Sequence, residues 1–191
     1  MTIKTFHGVG YNSLGEFKTK ICGNRTPAYK AWSNMIERCY SPEFHKRQPA
    51  YIGCTVADEW HDYQVFAKWF YEHKYSGLGY QLDKDLLYRE NKVYSPDTCC
   101  FVPRELNTLV ISCQKARGIY PQGVDFRSIT NKFRAQIRIN GSKLSLGEFH
   151  CPQDAHKAYI VAKEAYIKSK AMEWKDRIAQ DVFEALMNWT V

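Results

Sequence analysis

The sequence predicts an α+β fold, because segments with strand periodicity and segments with helical periodicity follow one another along the chain. From residue 133 to 139 every second residue is apolar, and basic or amide residues stand between them. A period of two places the apolar set on one face of a strand and the polar set on the other. From residue 62 to 73, aromatic residues instead recur at the three- and four-residue spacing of a helix that buries one face.

The first half of the chain is predicted to hold helices, short strands and a hairpin. A helix is expected at 27–40, since Pro27 suits a first helical turn and Ser41-Pro42 ends the helix. A short strand is expected at 51–56, and a second helix at 62–73, whose aromatic stripe we interpret as core rather than as a base-stacking surface. The remaining elements are a hairpin region at 77–92 centred on Leu82-Asp83-Lys84-Asp85, a strand at 99–102 and a helix that begins near Pro103.

The second half is predicted to form an antiparallel sheet with a helix on one side. Asn140-Gly141 is a strong signal for a hairpin turn, and a returning strand is expected at 143–146. Pro152 then opens a helix that carries small residues on one face. Such a helix can lie close on the apolar side of the sheet, which leaves the polar side free.

The polar and basic segment 112–120 is predicted to separate two domains, 1–111 and 112–191. A final helix is expected over 170–189, where apolar residues again recur at helical spacing. A chain of 191 residues is long enough for one large domain or for two small domains with modest cores.

The positive charge of the chain is concentrated near the predicted sheet. The formal net charge is +7, and residues 115–143 contain seven Lys and Arg but one acid, Asp125. Such a patch is typical of a surface that binds a polyanion, although an ordinary solvated face has the same composition. Guanidinium and amide groups match phosphate oxygens and the base edges of the major groove, so this half is predicted to bind DNA.

Several function classes are excluded by features that the sequence lacks. It has no apolar run long enough to span a bilayer and no signal-peptide core, so we expect no membrane partner and a cytoplasmic location. The seven cysteines are scattered without a Cys-x-x-Cys pair. We therefore expect free thiols, no zinc and no disulfide framework. Neither a Walker-type glycine loop nor a Ser/His/Asp set indicates another enzyme class.

The segment 118–168 resembles the DNA-binding domain of the APETALA/ethylene-response-factor family. The motifs that carry the resemblance are Gly123-Val124, Phe133-x-Ala135-x-Ile137-Arg138, Leu146-Gly147-x-Phe149 and Ala155-x-x-Ala158-Tyr159. In that family a three-stranded sheet lies in the major groove, and polar side chains of its outer face touch bases and phosphates.

The resemblance implies DNA contacts by Arg127, Gln136, Arg138 and Lys143, and strand geometry alone adds Lys132 and Arg134. The sequence departs from the plant pattern at three positions. Asp125 stands where an arginine is usual, and Ile129 and Ser145 replace two tryptophans. DNA binding is therefore expected, but the plant recognition sequence is not implied.

The segment 28–110 is similar to a divergent branch of the HNH, or ββα-metal, endonucleases that are common in bacteriophages. The motifs are Tyr29-x-x-Trp32-x-x-Met35-Ile36-x-Arg38-Cys39-Tyr40, Val56-x-x-Glu59-Trp60, Leu82-Asp83-Lys84, Asn91-Lys92-x-Tyr94-Ser95-Pro96-x-Thr98-Cys99-x-Phe101-Val102 and Asn107. In phage proteins this module often precedes a DNA-binding domain of the kind just described. The pairing resembles a homing-type endonuclease, which would act in the cytoplasm of the bacterial host.

The resemblance also implies a metal site. The family pattern places metal ligands at Asp83 on the hairpin and Asn107 on the following helix, and Mg²⁺ or Mn²⁺ is the expected cofactor. Lys84 stands where the best-known members have histidine. It can act as a base only if its pKa is lowered, and otherwise it would steady the phosphate. Asp85 is a second carboxylate that would either ligate the metal or orient Lys84.

Three functions follow from these expectations. The first is a metal-dependent endonuclease that cuts duplex DNA at a preferred site, as a monomer on an asymmetric site or as a homodimer on a palindrome. The second is a catalytically inactive DNA-binding regulator or architectural protein on a decayed HNH scaffold, in which Leu82-Asp83-Lys84-Asp85 is a solvated surface turn. RNA binding is the weakest, because Arg and Gln on a sheet suit major-groove edges better than single strands.

Overall fold

A computed structural model of the chain describes residues 5–111 and 119–191. Helices and small sheets are mixed along the sequence, so the predicted α+β class is confirmed. The chain divides into two units, Met1–Asn107 and Thr108–Val191. Residues 112–118 of the predicted boundary segment lie outside the described residues.

The first unit is built from short helices and very short strands. Its helices are α1 (Pro27–Tyr40), α2 (Pro42–Arg47), α3 (Tyr63–Glu72) and α4 (Arg104–Val110), the last of which runs across the division between the units. Its strands are β1 (Lys20–Ile21), β2 (Asn24–Arg25), β3 (Thr55–Val56), β4 (Gln81–Asp83), β5 (Val93–Tyr94) and β6 (Cys100–Val102).

The core of the first unit lies between α1 and α3. Trp32, Tyr63 and Phe66 are fully buried there, which confirms that the aromatic stripes are core. The indole of Trp32 donates a hydrogen bond to the carbonyl of Trp60 at 2.8 Å. Because buried polar groups need partners, this bond fixes α1 against the turn that precedes α3.

The segment between α1 and α3 differs from the prediction of a strand at 51–56. Only β3 is a strand, because Gly53 adopts φ +79° and turns the chain just before it. The short helix α2 was also not predicted. The hydroxyl of Ser41 accepts a hydrogen bond from the N–H of Phe44 at 3.2 Å, so the residue that ends α1 also caps α2.

The strands that follow α3 form two separate pairs. β3 pairs with β5 in parallel, and β4 pairs with β6 in an antiparallel ladder that places Asp83 opposite Cys100. α4 begins directly after β6. The order β4, β6, α4 therefore gives two antiparallel strands followed by a helix, and the loop between the strands carries β5.

The second unit is a three-stranded antiparallel sheet in the order β7 (Val124–Arg127), β8 (Lys132–Ile139) and β9 (Ser142–Phe149). The turn between β8 and β9 uses Asn140 and Gly141 at φ +48° and +82°, as the hairpin signal predicts. A bulge interrupts the ladder, because Ala135 pairs with Gly147 while the next residue, Gln136, pairs with Ser145. Leu146 is therefore the extra residue of β9.

A long helix, α5 (Pro152–Trp174), packs on one face of this sheet. Ala135 and Ile137 of β8 are buried on that face together with Ala155 and Tyr159 of α5. Gly123 lies beside the Tyr159 ring at φ +78°, and a Cβ on it would overlap that ring. A glycine is thus required both by the backbone conformation and by the close approach of the helix.

The prediction of one helix over 170–189 was wrong. α5 extends to Trp174, a turn follows, and α6 (Gln180–Met187) is a separate helix that packs against α5. Ile178 between them is extended and buried. A single straight helix would carry Val182 and Leu186 away from α5, whereas the break lets both side chains become fully buried.

Candidate functional site

Asp83 stands at the end of β4, where its carboxylate shapes the turn that follows. Its Oδ1 accepts hydrogen bonds from the backbone N–H groups of Asp85 at 3.0 Å and of Leu86 at 2.8 Å. Burial, and then the charge of the neighbouring Asp85 carboxylate, raise the pKa of Asp83 above its ordinary value. The structure therefore brings two carboxylates close together at this turn.

Lys84 is enclosed rather than presented to solvent, with 7 % of its surface exposed. Its ammonium donates to Asp85 Oδ2 at 2.9 Å and to the carbonyl of Asn91 at 2.9 Å, and it lies 5.8 Å from the centre of the Tyr94 ring. Burial opposes its charge, but the hydrogen bond and the charge of Asp85 outweigh burial and raise the pKa of Lys84. Lys84 is therefore protonated at neutral pH and orients Asp85 instead of accepting a proton.

Asn91 closes the loop that carries Lys84. Its amide donates to the carbonyls of Lys84 and Val93 at 2.7 Å each, and its Oδ1 accepts from the N–H of Val93 at 3.0 Å. Since Lys84 also donates to the Asn91 carbonyl, the two residues hold each other in place. The loop is thereby fixed by side-chain hydrogen bonds where regular secondary structure is short.

Asn107 on α4 contacts the strand that carries Asp83. Its amide donates to Gln81 Oε1 at 3.0 Å, and the residue is 9 % exposed. Gln81 and Asp83 are two positions apart on β4, so their side chains lie on the same face, roughly 6.6 Å apart along the strand. This hydrogen bond ties α4 to the strand that ends at Asp83.

Oxygen-bearing side chains lie on the turn after β4 and on α4. Asp83, Asp85 and Asn107 offer two carboxylates and one amide, which are the ligands that hard divalent cations such as Mg²⁺ and Mn²⁺ take. Within 5–111 and 119–191, no group of three or more His, Cys, Asp or Glu side chains is arranged to hold a metal ion. A cation at this face would need the Asn107 amide oxygen, or water, beside the two carboxylates.

Arg38 is a residue that the predicted site did not include. It lies on α1 near Asp83, and its guanidinium hydrogen-bonds the Tyr94 hydroxyl and lies over the Tyr51 ring at 5.6 Å. Burial opposes its charge, but these neighbours outweigh it and hold the pKa of Arg38 above its ordinary value. The sequence signal for Arg38 was its position on α1 directly before Cys39, which belongs to the buried stripe of that helix.

Two buried thiols next to this site are inert at neutral pH. Burial raises the pKa of Cys39 and that of Cys99 to about 12 each, and the positive charge of Lys84 lowers either value only slightly. Because the thiolate is the reactive form of cysteine, the raised pKa makes both thiols poor nucleophiles at neutral pH.

The predicted DNA-contacting residues of the second unit share the sheet face opposite α5. Cross-strand pairing places Lys132 beside Arg127, and Lys143 beside Arg138. Gln136 pairs with Ser145 on the same face. The full set on this outer face is Asp125, Arg127, Lys132, Arg134, Gln136, Arg138, Lys143, Ser145 and Glu148.

Asp125 has a specific partner on this face. Its two carboxylate oxygens accept from Nε of Arg134 at 3.1 Å and from Nη2 at 2.9 Å. This paired geometry fixes the plane of the guanidinium and leaves its remaining N–H groups free for another acceptor. The acid that departs from the plant pattern therefore orients one of the predicted contact residues.

No helix within the described parts of the chain is both long enough and apolar enough to cross a membrane. Comparisons of the chain with protein-family profiles, with curated proteins and with solved structures find no match.

Proposed function

We propose that this protein is a DNA-binding, metal-dependent endonuclease that hydrolyses phosphodiester bonds of duplex DNA at a preferred site. The observation that supports this most is the hydrogen bond between Asn107 and Gln81, which ties the helix amide to the strand that carries Asp83. Close to Asp83 lie a second carboxylate, Asp85, the enclosed ammonium of Lys84 and the half-buried guanidinium of Arg38. Phosphodiester hydrolysis of this kind uses carboxylates that hold a metal cation, next to positive groups that attract the phosphate.

Each side chain has a role in this proposal. Asp83, Asp85 and Asn107 would hold Mg²⁺ or Mn²⁺, which supplies charge stabilisation at the phosphate and the leaving oxygen. Lys84 keeps Asp85 in position through the 2.9 Å hydrogen bond. Arg38 adds positive potential near the carboxylates, which favours a bound phosphate.

The sheet face of the second unit would hold the DNA. Arg138 and Lys143 are exposed and adjacent on it, and the whole face, these two included, carries five basic and two acidic residues. Basic side chains that neutralise phosphates give affinity, and side chains that reach base edges give sequence preference. Duplex DNA is therefore the proposed partner, and a homodimer would fit a palindromic site.

The test is the nicking of supercoiled plasmid in Mg²⁺ or Mn²⁺, with and without EDTA. Asp83→Asn is the informative variant, because an amide oxygen still accepts the turn hydrogen bonds from residues 85 and 86 while the charge is lost. Asp58→Asn is the matched control, since that carboxylate is fully exposed. We expect metal-dependent nicking by the wild type and the control, and its loss in Asp83→Asn.

A second function, DNA binding without cleavage, is favoured by one observation. Lys84 already neutralises Asp85, so one of the two carboxylates has an internal cation as partner. In that case the same assay would leave the plasmid intact, while the protein would still bind DNA tightly and in a salt-sensitive manner.

A further inference from the structure

The first unit contains an open cavity of about 380 Å³ between α1, α2 and the turn that follows them. It is lined by Arg38, Phe44, Arg47, Gln48 and Tyr51. The lining thus combines two guanidinium groups, two aromatic rings and one amide, and it includes no carboxylate. The proposed function gives this cavity no role beyond the general positive potential of Arg38.

The positive charge of Arg38 is not neutralised by a carboxylate in the described residues. Its partners are the Tyr94 hydroxyl and the face of Tyr51, and no carboxylate forms an ion pair with it in the described residues. A guanidinium has five N–H donors, so most of them remain free for an anion. A half-buried, always-charged group beside an open cavity is a natural partner for a phosphate.

Arg47 brings a second guanidinium to the same cavity. It lies over the Phe44 ring at 5.5 Å, and its only ion-pair partner in the described structure, Glu37, is 4.0 Å away. The Arg47 side chain is largely exposed and that of Glu37 is partly exposed, and ion pairs at such positions contribute little. Arg47 can therefore exchange this contact for a phosphate at small cost.

The walls of the cavity are held in place before any ligand arrives. The Phe44 and Tyr51 rings pack edge to face at 5.6 Å, and the imidazole of His45 hydrogen-bonds the Arg38 carbonyl at 2.9 Å. Ser41 caps the helix that carries Phe44 and Arg47. A preformed site binds without first paying the entropy of ordering its walls.

We propose that this cavity binds one nucleotide unit of a DNA strand, with the phosphate between Arg38 and Arg47 and the base against the aromatic rings. Arginine pairs bidentately with phosphate oxygens, and aromatic rings stack on any base regardless of sequence. Arg38 also lies near Asp83, so the bound nucleotide would neighbour the scissile phosphate. This proposal deepens the proposed function and rests on it for the identity of the ligand.

The direct test is titration of the full chain with thymidine 3′,5′-bisphosphate in EDTA, followed by heteronuclear NMR. EDTA removes any contribution from a divalent cation at the carboxylates. Arg47→Gln and Phe44→Leu remove one guanidinium and one ring from the lining. Lys46→Gln is the matched control, because it removes the same charge from the same helix at a position outside the lining.

We expect saturable binding that each variant weakens by about tenfold or more, through loss of one charge-assisted hydrogen bond in Arg47→Gln and of one base-stacking ring in Phe44→Leu. Lys46→Gln is expected to bind like the wild type. Absence of saturable binding at millimolar probe would overturn the proposal. An equal loss in Lys46→Gln and Arg47→Gln would also overturn it, because the attraction would then be diffuse.

Plasmid nicking separates this proposal from the proposed function. If the bisphosphate binds in the cavity while no variant and no metal supports nicking, the cavity proposal stands and the nuclease proposal fails. If the wild type nicks and Arg47→Gln changes neither probe binding nor KM, the cavity proposal fails and the nuclease proposal stands. If both hold, we expect Arg47→Gln to raise KM more than it lowers kcat.

Discussion

Replacing Asp125 by Asn should make DNA binding stronger and less selective at the same time. The carboxylate of Asp125 holds the Arg134 guanidinium by two hydrogen bonds on the outer face of the sheet. The amide of Asn has a single acceptor oxygen and no charge, so it holds the Arg134 guanidinium less firmly and Arg134 can move to the nearest phosphate. A fixed guanidinium reads one base edge, whereas a freed one neutralises backbone charge on any sequence.

The magnitude follows from counterion release. One additional phosphate contact steepens the dependence of log K on log salt by about 0.9 on duplex DNA. Between 50 and 200 mM salt, the affinity of the variant relative to the wild type should therefore change about 3.5-fold. Loss of one fixed base contact should cost about 1–3 kcal/mol of discrimination at a single base pair. The fold itself should lose at most about 1 kcal/mol, since both side chains are partly exposed.

The assay combines fluorescence anisotropy on random duplex DNA across that salt range with selection of preferred sites from a random library. Glu148→Gln is the matched control, because Glu148 also lies opposite Arg134 and carries the same charge but forms no ion pair with it in the described structure. The reasoning is refuted if the two variants share one salt slope, or if the Asp125 variant retains the full preference at every selected position.

Three other perturbations have expected outcomes. Iodoacetamide at pH 8 should modify the exposed Cys22 in the folded protein but not Cys39 or Cys99, because burial raises the pKa of each of these two thiols to about 12. Peptide mass spectrometry measures the labelling, and early modification of Cys39 or Cys99 would contradict the prediction. Gly123→Ala should destabilise the second unit by about 2 kcal/mol or more, because φ is +78° and the added methyl group has no room; an unchanged urea midpoint would contradict this. Asp83→Asn should be more stable than the wild type at pH 7 in EDTA. Burial and a neighbouring carboxylate raise the pKa of Asp83, so its ionised form lowers the stability of the folded protein above about pH 4. The gain in stability should vanish below about pH 4, and urea unfolding at both pH values measures it.

Elements with local signals were predicted well from the sequence. α1 begins at Pro27 and ends before Ser41-Pro42, as the proline rules require. The β8–β9 hairpin turns at Asn140-Gly141, where both residues adopt the positive φ that the turn needs. These features depend on a few neighbouring residues, so the chain encodes them locally.

Elements that depend on distant partners were missed or misplaced. β3 is two residues long and exists because it pairs in parallel with β5, which lies far along the chain. The end of α5 at Trp174 depends on α6 folding back against it, and no proline or glycine marks that break. Such pairings are set by tertiary packing, which overrides local propensity.

The residue types of the candidate site were predictable, but the burial and the pKa shifts of these side chains were not. The sequence places Lys84 beside two acids, yet only the structure shows that its ammonium is enclosed by Asp85, Asn91 and the Tyr94 ring. The sign of its pKa shift depends on that enclosure together with the hydrogen bond to Asp85. Arg38 is 45 residues before Asp83 in the sequence, so their proximity could not be inferred from spacing.

The extra residue in β9 determines which side of the sheet the side chains in the first half of that strand face. Phe149 faces the helix side of the sheet, and strict alternation from it would point Lys143 toward α5. The extra residue Leu146 shifts the alternation of side chains by one position, so Lys143 instead faces outward beside Arg138. If Leu146 instead paired with Gln136 in an unbroken ladder, Lys143 would face the helix and Leu144 would face the opposite side. The bulge therefore lets one strand direct Phe149 to the helix side of the sheet and Lys143 to the opposite side.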